Sequence, residues 1–150
     1  MLLGEILIQK KLITPQQLEA ALKLQAETKE FLGVILVQRR YIKEEDLLKA
    51  LSEQFNIPIV KLKDNYIDWE ASMKFSSSVV CEYRCLPVRA DSRSITVAIT
   101  NPLDAIAISK VEEEAREYKV ELVLVSNADM DEALKTYNRY ASQKIKKMLE

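Results

Sequence analysis

The chain has 150 residues, 48% of them apolar and 30% charged, with a net charge of −1 and no histidine. That composition suits one domain or two small packed subdomains of an ordinary globular protein. It gives no electrostatic case for nucleic acid or an anionic membrane as the main partner, and it removes the commonest general base and metal ligand.

Residues 2–54 read as helix, twice over. Leu3, Ile6, Leu7 and Lys10 share one helical face, which breaks after Lys10-Lys11. Thr14-Pro15 then supplies an N-cap with proline at the first helical position, and Leu18, Ala21, Leu22 and Gln25 follow at helical spacing. The pattern returns at an offset of 29 residues: Leu3-Gly4 as Leu32-Gly33, Ile13 as Ile42, Leu18 as Leu47, Ala21-Leu22 as Ala50-Leu51, and Gln25 as Gln54. Such an offset is close to eight turns at ~3.6 residues each, so side chains keep their facing. Two like helical hairpins are expected, each short first helix closed by cations, Lys10-Lys11 or Arg39-Arg40, that suit a helix C-terminus. The duplication either serves packing alone or forms paired half-sites for a two-fold symmetric ligand or a partner surface. Gly4 and Gly33 are the only glycines, and a helical glycine in each copy is expected where a Cβ would collide with a neighbouring helix or a ligand. Two glycines cannot write a P-loop or a GxGxxG turn, which excludes an ATPase core or a dinucleotide site on this chain.

Phe55 to Pro58 ends the helical half, residues 57–60 form a short extended piece, and residues 61–66 read as a linker. Trp69 and the serines at 76–78 lead into a short helix around Val79 to Tyr83. Leu86-Pro87-Val88 and residues 95–99 read as strands about a turn at Asp91-Ser92. Asn101-Pro102 is expected to start a helix from Leu103 to Tyr118, residues 120–125 a buried strand, and Asn127-Ala128-Asp129 the cap of a last helix reaching Met148. Strand, helix and strand from Ile95 to Val125 imply a right-handed parallel crossover. Cys81 and Cys85 cannot complete a four-ligand zinc site without further ligands, so they are structural thiols. Glu112, Glu113 and Glu114 splay around a helix and make no paired acid/base site, so no catalytic or metal residues are assigned. Lys144, Lys146 and Lys147 read as a solvated helix face. No apolar run approaches the ~20 residues needed to span a bilayer, and the amino terminus lacks a signal-peptide pattern. A cytoplasmic location is the expectation. The fold class is α+β (mixed), with duplicated helical hairpins over residues 1–60 packed with a small α/β subdomain over residues 61–150.

The two copies, Leu3-Gly4 through Gln25 and Leu32-Gly33 through Gln54, separated by residues 26–30, resemble the paired motifs of the MshEN-type domain. Leu86-Pro87-Val88 followed by residues 95–104 is similar to the pattern that closes the amino-terminal domain of type II secretion and type IV pilus assembly ATPases. The resemblance implies a bacterial, non-enzymatic adaptor or regulatory domain ahead of a hexameric ATPase motor. Its partners would be cytoplasmic domains of inner-membrane secretion or pilus assembly proteins, making it peripheral to the inner membrane through them, with no nucleic acid and no direct membrane insertion. No cofactor is required. Some members bind cyclic di-GMP, which makes a sensor of that nucleotide the alternative. Nucleotide-binding members carry Arg-Leu-Gly at each motif start and a glycine before the second helix; here those positions hold Leu2 and Phe31, and Lys11 and Arg40. The resemblance gives two ligand half-sites, Leu3, Gly4, Lys11 and Gln25 with Leu32, Gly33, Arg40 and Gln54. Apolar residues off the repeat face, Phe31 and Tyr41 among them, give a candidate partner patch.

Overall fold

The computed structural model describes residues 2–63 and 66–150. The chain divides into two compact units, one ending at Ile57 and the other running from Pro58 to Glu150; the sequence reading put the division at residue 60. Of the linker read at 61–66, residues 64 and 65 lie outside the described residues.

The first unit is four helices: α1 (Leu3–Gln9), α2 (Pro15–Thr28), α3 (Leu32–Gln38) and α4 (Glu44–Phe55). The short helices α1 and α3 begin and end at equivalent places in the two copies. Thr14 builds the capping box expected of its position, accepting from the Gln17 backbone N–H at 3.1 Å while Gln17 Oε1 accepts from the Thr14 N–H at 3.0 Å. Lys43 stands at the same place before α4 and makes no such bond; three acids in the first turn, Glu44, Glu45 and Asp46, complement the helix dipole there. Packing runs chiefly across the copies, α2 against α3 and α1 against α4, with α3 also against α4 within the second copy, around Leu7, Ala21, Leu36, Ala50 and Leu51. Lys10 and Glu53 join α1 to α4 by an ion pair of 2.5 Å.

The second unit holds a three-stranded sheet in the order β1-β2-β3, with β1 (Leu86–Ala90) antiparallel to β2 (Ser94–Ile99) and β2 parallel to β3 (Lys119–Leu124). Pro87 is accommodated because β1 is an edge strand, and the register slips between Pro87 and Arg89. Asp91 makes the hairpin turn: its Oδ1 accepts the backbone N–H groups of Arg93 at 2.7 Å and Ser94 at 2.8 Å. The extended piece expected at 57–60 is present as an isolated parallel bridge between Ile59 and Leu124. The helices are α5 (Trp69–Ser72), α6 (Ser77–Glu82), α7 (Ala105–Ala115) and α8 (Asn127–Leu149). Leu86, Val88, Ile95, Val97, Ile99, Leu124, Met130 and Tyr137 are fully or almost fully buried between sheet and helices.

Three sequence expectations change in detail. The crossover helix starts at Ala105, because Asp104 is its N-cap, accepting from Ala107 N–H at 3.0 Å; Asn101 closes a separate local turn by accepting from Leu103 N–H at 3.0 Å. β3 is buried only at its end: Lys119 and Glu121 are exposed and Val120 and Leu122 half-buried, so the strand alternates. Ser126 caps α8 by accepting from Asp129 N–H at 3.1 Å.

Candidate functional site

The break after each short helix is a left-handed turn. Lys11 has φ 59° and Arg40 has φ 61°. The Lys11 N–H donates to the Ile8 carbonyl at 2.9 Å and the Leu12 N–H to the Leu7 carbonyl at 3.0 Å; the Arg40 N–H donates to Val37 and the Tyr41 N–H to Leu36, both at 3.0 Å. This is a Schellman-type termination, which satisfies two orphan carbonyls and favours glycine. The position thus favours glycine for a local reason, backbone handedness. Nothing in a lysine or an arginine signals it. Both side chains are exposed, so each turn presents a cation to solvent.

Gly4 and Gly33 are buried and neither has a positive φ. A Cβ on Gly4 would stand 2.8 Å from Leu18 Cδ1, and one on Gly33 would stand 2.9 Å from Leu47 Cδ2. The collision expected from the repeat therefore exists within each hairpin, between the short helix and the long one. Leu3 is buried and Leu32 half-buried beside these glycines. Gln25 is half-buried and donates through Nε2 to the Glu30 carbonyl at 3.2 Å, closing the connection between the copies. Gln54 is half-buried in α4.

Of the candidate residues, Arg40 and Tyr41 line one open groove of about 640 Å³ together with Leu12, Val37 and Glu44. Lys11 is not among its lining residues. Phe31 is the N-cap residue of α3, without a side-chain cap bond, and is 41% exposed; Leu2, its equivalent before α1, is 72% exposed. Val34, one turn beyond Phe31, is exposed as well.

The polar clusters of the second unit are structural in form. Hydrogen bonds from Lys144 and then Tyr140 hold the Glu70 carboxyl below its ordinary range, and the same bonds raise the two donors. Glu114 accepts the Ser76 N–H at 3.0 Å and is lowered by its bonds to Ser76. Burial, with a smaller contribution from the charge of Asp104, pushes the Cys85 thiol up to about 12, while Cys81 is exposed. Among the described residues no group of three or more His, Cys, Asp or Glu could hold a metal ion, and no helix is long and apolar enough to cross a membrane.

The MshEN domain profile matches residues 55–144, three-fifths of the chain and chiefly the second unit. The chain is 29% identical over 135 residues to the type IV pilus assembly ATPase PilB of Myxococcus xanthus, an alignment that takes in 90% of this chain and 24% of PilB. A solved structure of MshE with cdg superposes with a TM-score of 0.82 at 24% identity, over 93% of this chain and 99% of that one. The N-terminal domain of XpsE superposes with a TM-score of 0.71 at 18% identity, over 89% and 91% of the two chains. The chain belongs to the MshEN domain family, as the paired motifs led us to expect, and the α+β fold is the one shared with these structures. It spans about a quarter of the length of the Myxococcus relative.

Proposed function

We propose that the chain is a non-catalytic adaptor and regulatory domain of a type IV pilus assembly or type II secretion ATPase, and that it docks the motor onto cytoplasmic parts of the inner-membrane machine. The observation that supports this reading is the chemistry at the two motif starts. Where nucleotide-binding members place arginine, Leu2 and Phe31 offer exposed apolar surface. An apolar side chain gives no hydrogen bond to a guanine edge and no charge to a phosphate, whereas clustered apolar surface is what a protein partner covers. The test is co-purification of the Phe31→Asp variant with the cytoplasmic domains of the inner-membrane assembly proteins. Capture should fall at least tenfold. The melt should hold or rise, because aspartate at an N-cap stabilises a helix by ~0.5–2 kcal/mol. Undiminished capture overturns the docking site.

The left-handed turns favour a second reading, a cyclic di-GMP sensor. Lys11 and Arg40 hold left-handed turns, a conformation that favours glycine, and add a cation to each copy, and the solved MshE structure holds cdg. In that reading Lys11 and Arg40 hold the phosphates, with Leu3, Gly4, Gln25, Leu32, Gly33 and Gln54 as the surrounding half-sites. Calorimetric titration with cyclic di-GMP decides between the two. Under the adaptor reading no heat of binding is expected; micromolar or tighter affinity, lost in Lys11→Ala and Arg40→Ala, establishes the sensor.

A further inference from the structure

The last helix changes character along its length. Its buried residues, Met130, Ala133 and Tyr137, stop at Tyr137. The Tyr140 hydroxyl then donates to Glu70, and Lys144 Nζ donates to the other oxygen of the same carboxylate at 2.6 Å. Beyond this tie Ile145 is 55%, Met148 78% and Leu149 83% exposed. Among the described residues no ion pair engages Lys146 or Lys147. The segment is one-signed: residues 138–149 hold Arg139, Lys144, Lys146 and Lys147 and no Asp or Glu. At ~100° per residue, Ala141, Ile145, Met148 and Leu149 fall in one stripe, with Lys144 on one flank and Lys146 on the other.

We infer that this end of α8 lies on an anionic phospholipid bilayer. The apolar stripe enters the boundary between headgroups and acyl chains, and Lys146 reaches to the phosphates from its flank while Lys144 stays tied to Glu70. Charge selects this occupant over a second copy of the chain, which would bring the same cations face to face. A bilayer interface supplies what the helix end lacks, an apolar layer beneath a sheet of negative charge. The net charge of −1 conceals this because the acids, apart from Glu150 directly after the stripe, lie elsewhere in the chain. Among the described residues no helix is long and apolar enough to cross a membrane, and the contact we infer is peripheral.

The experiment is flotation of the whole chain with vesicles of equal parts phosphatidylglycerol and phosphatidylcholine, against vesicles of phosphatidylcholine alone. The chain should float with the anionic vesicles only, and less at high salt. Reversing the free flanking charge in Lys146→Glu should weaken binding by more than fivefold, since each cation near such a surface contributes roughly fivefold. Ile145→Asp/Met148→Asp should abolish it with the melting temperature unchanged, because those side chains are exposed. Phe31→Asp should leave flotation intact, which separates this contact from the protein docking proposed above. Failure to float with anionic vesicles, equal flotation with neutral ones, indifference to charge reversal, or loss on Phe31→Asp overturns the inference. So does a dimer in sedimentation that Ile145→Asp disperses.

Discussion

Gly4 and Leu18 are matched so closely that a Cβ on the glycine would lie 2.8 Å from Leu18 Cδ1, and the second copy repeats the match with Gly33 and Leu47. In each hairpin the absent methyl sets how near the short helix comes to the long one. Alanine at either position gains ~1 kcal/mol of helix propensity and must displace only the tip of a leucine, so its net effect is small. A branched side chain has no such escape. Gly4→Val and Gly33→Val should each destabilise by about 1–3 kcal/mol through overpacking. Adding Leu18→Ala to Gly4→Val should recover part of that loss, giving a favourable coupling in a double-mutant cycle by urea unfolding. Strict additivity would break the argument.

Lys11 and Arg40 hold left-handed backbone that glycine adopts without strain. Lys11→Gly and Arg40→Gly should each raise stability by roughly 0.5–1 kcal/mol, the relief of strain exceeding the entropy added to the unfolded chain. Arg116, at φ 52° and ψ −107° in the turn that ends α7, is further from ordinary L-residue geometry, and Arg116→Gly should gain at least as much. Urea midpoints that fall in these variants would refute the account.

The Glu70 carboxyl sits below its ordinary range in the fold, held first by Lys144 and then by Tyr140. Its contribution is therefore fully present above the unfolded carboxylate range, ~4, and disappears as pH falls through the folded value. Tyr140 and Lys144 are raised by the same contact, so their share is present at neutral pH and is lost as alkaline pH passes their folded values. The stability gap between the native chain and Glu70→Gln should be clear at pH 7 and shrink towards pH 3. A gap that does not change with pH would show that the contact carries no proton linkage.

The two thiols should differ in reactivity. Cys85 is buried with its thiol pushed up to about 12, so thiolate is almost absent at neutral pH, and disulfide reagents should modify Cys81 alone until the chain unfolds. Release of two equivalents from the folded protein would contradict this.

How much of this was legible in the sequence depended on which signal each residue carries. Thr14-Pro15 announced its helix start because a capping hydroxyl followed by proline has few other uses. A collision at Gly4 and Gly33 followed from the repeat, since two glycines at equal places inside helices need a steric reason, but the leucines that make it, Leu18 and Leu47, required the fold. Asn101-Pro102 misled because asparagine caps turns and helices alike, and Asp104 won by accepting from Ala107. The four-residue α5 has too few residues for a period to show. The left-handed turns were invisible, because handedness at Lys11 and Arg40 is imposed by the helix ending around them and neither side chain prefers it. Of the candidate site, the steric half could thus be read from spacing, while the grouping of Arg40 with Tyr41 and Leu12 in one groove required the fold.

The bridge from Ile59 to Leu124 bears on solubility. β3 is the sheet's outer strand on the side away from β1, and an open strand edge is a template for pairing with a stranger. The Val60 N–H bonds to the Leu124 carbonyl at 3.0 Å and the Leu124 N–H to the Pro58 carbonyl at 2.8 Å, so the most apolar end of that edge is covered by the chain itself. The other end carries exposed Lys119 and Glu121, whose charges discourage a neighbouring strand. The segment that joins helices to sheet thus also keeps one molecule from zipping onto the next, and lengthening or deleting it should show first as aggregation.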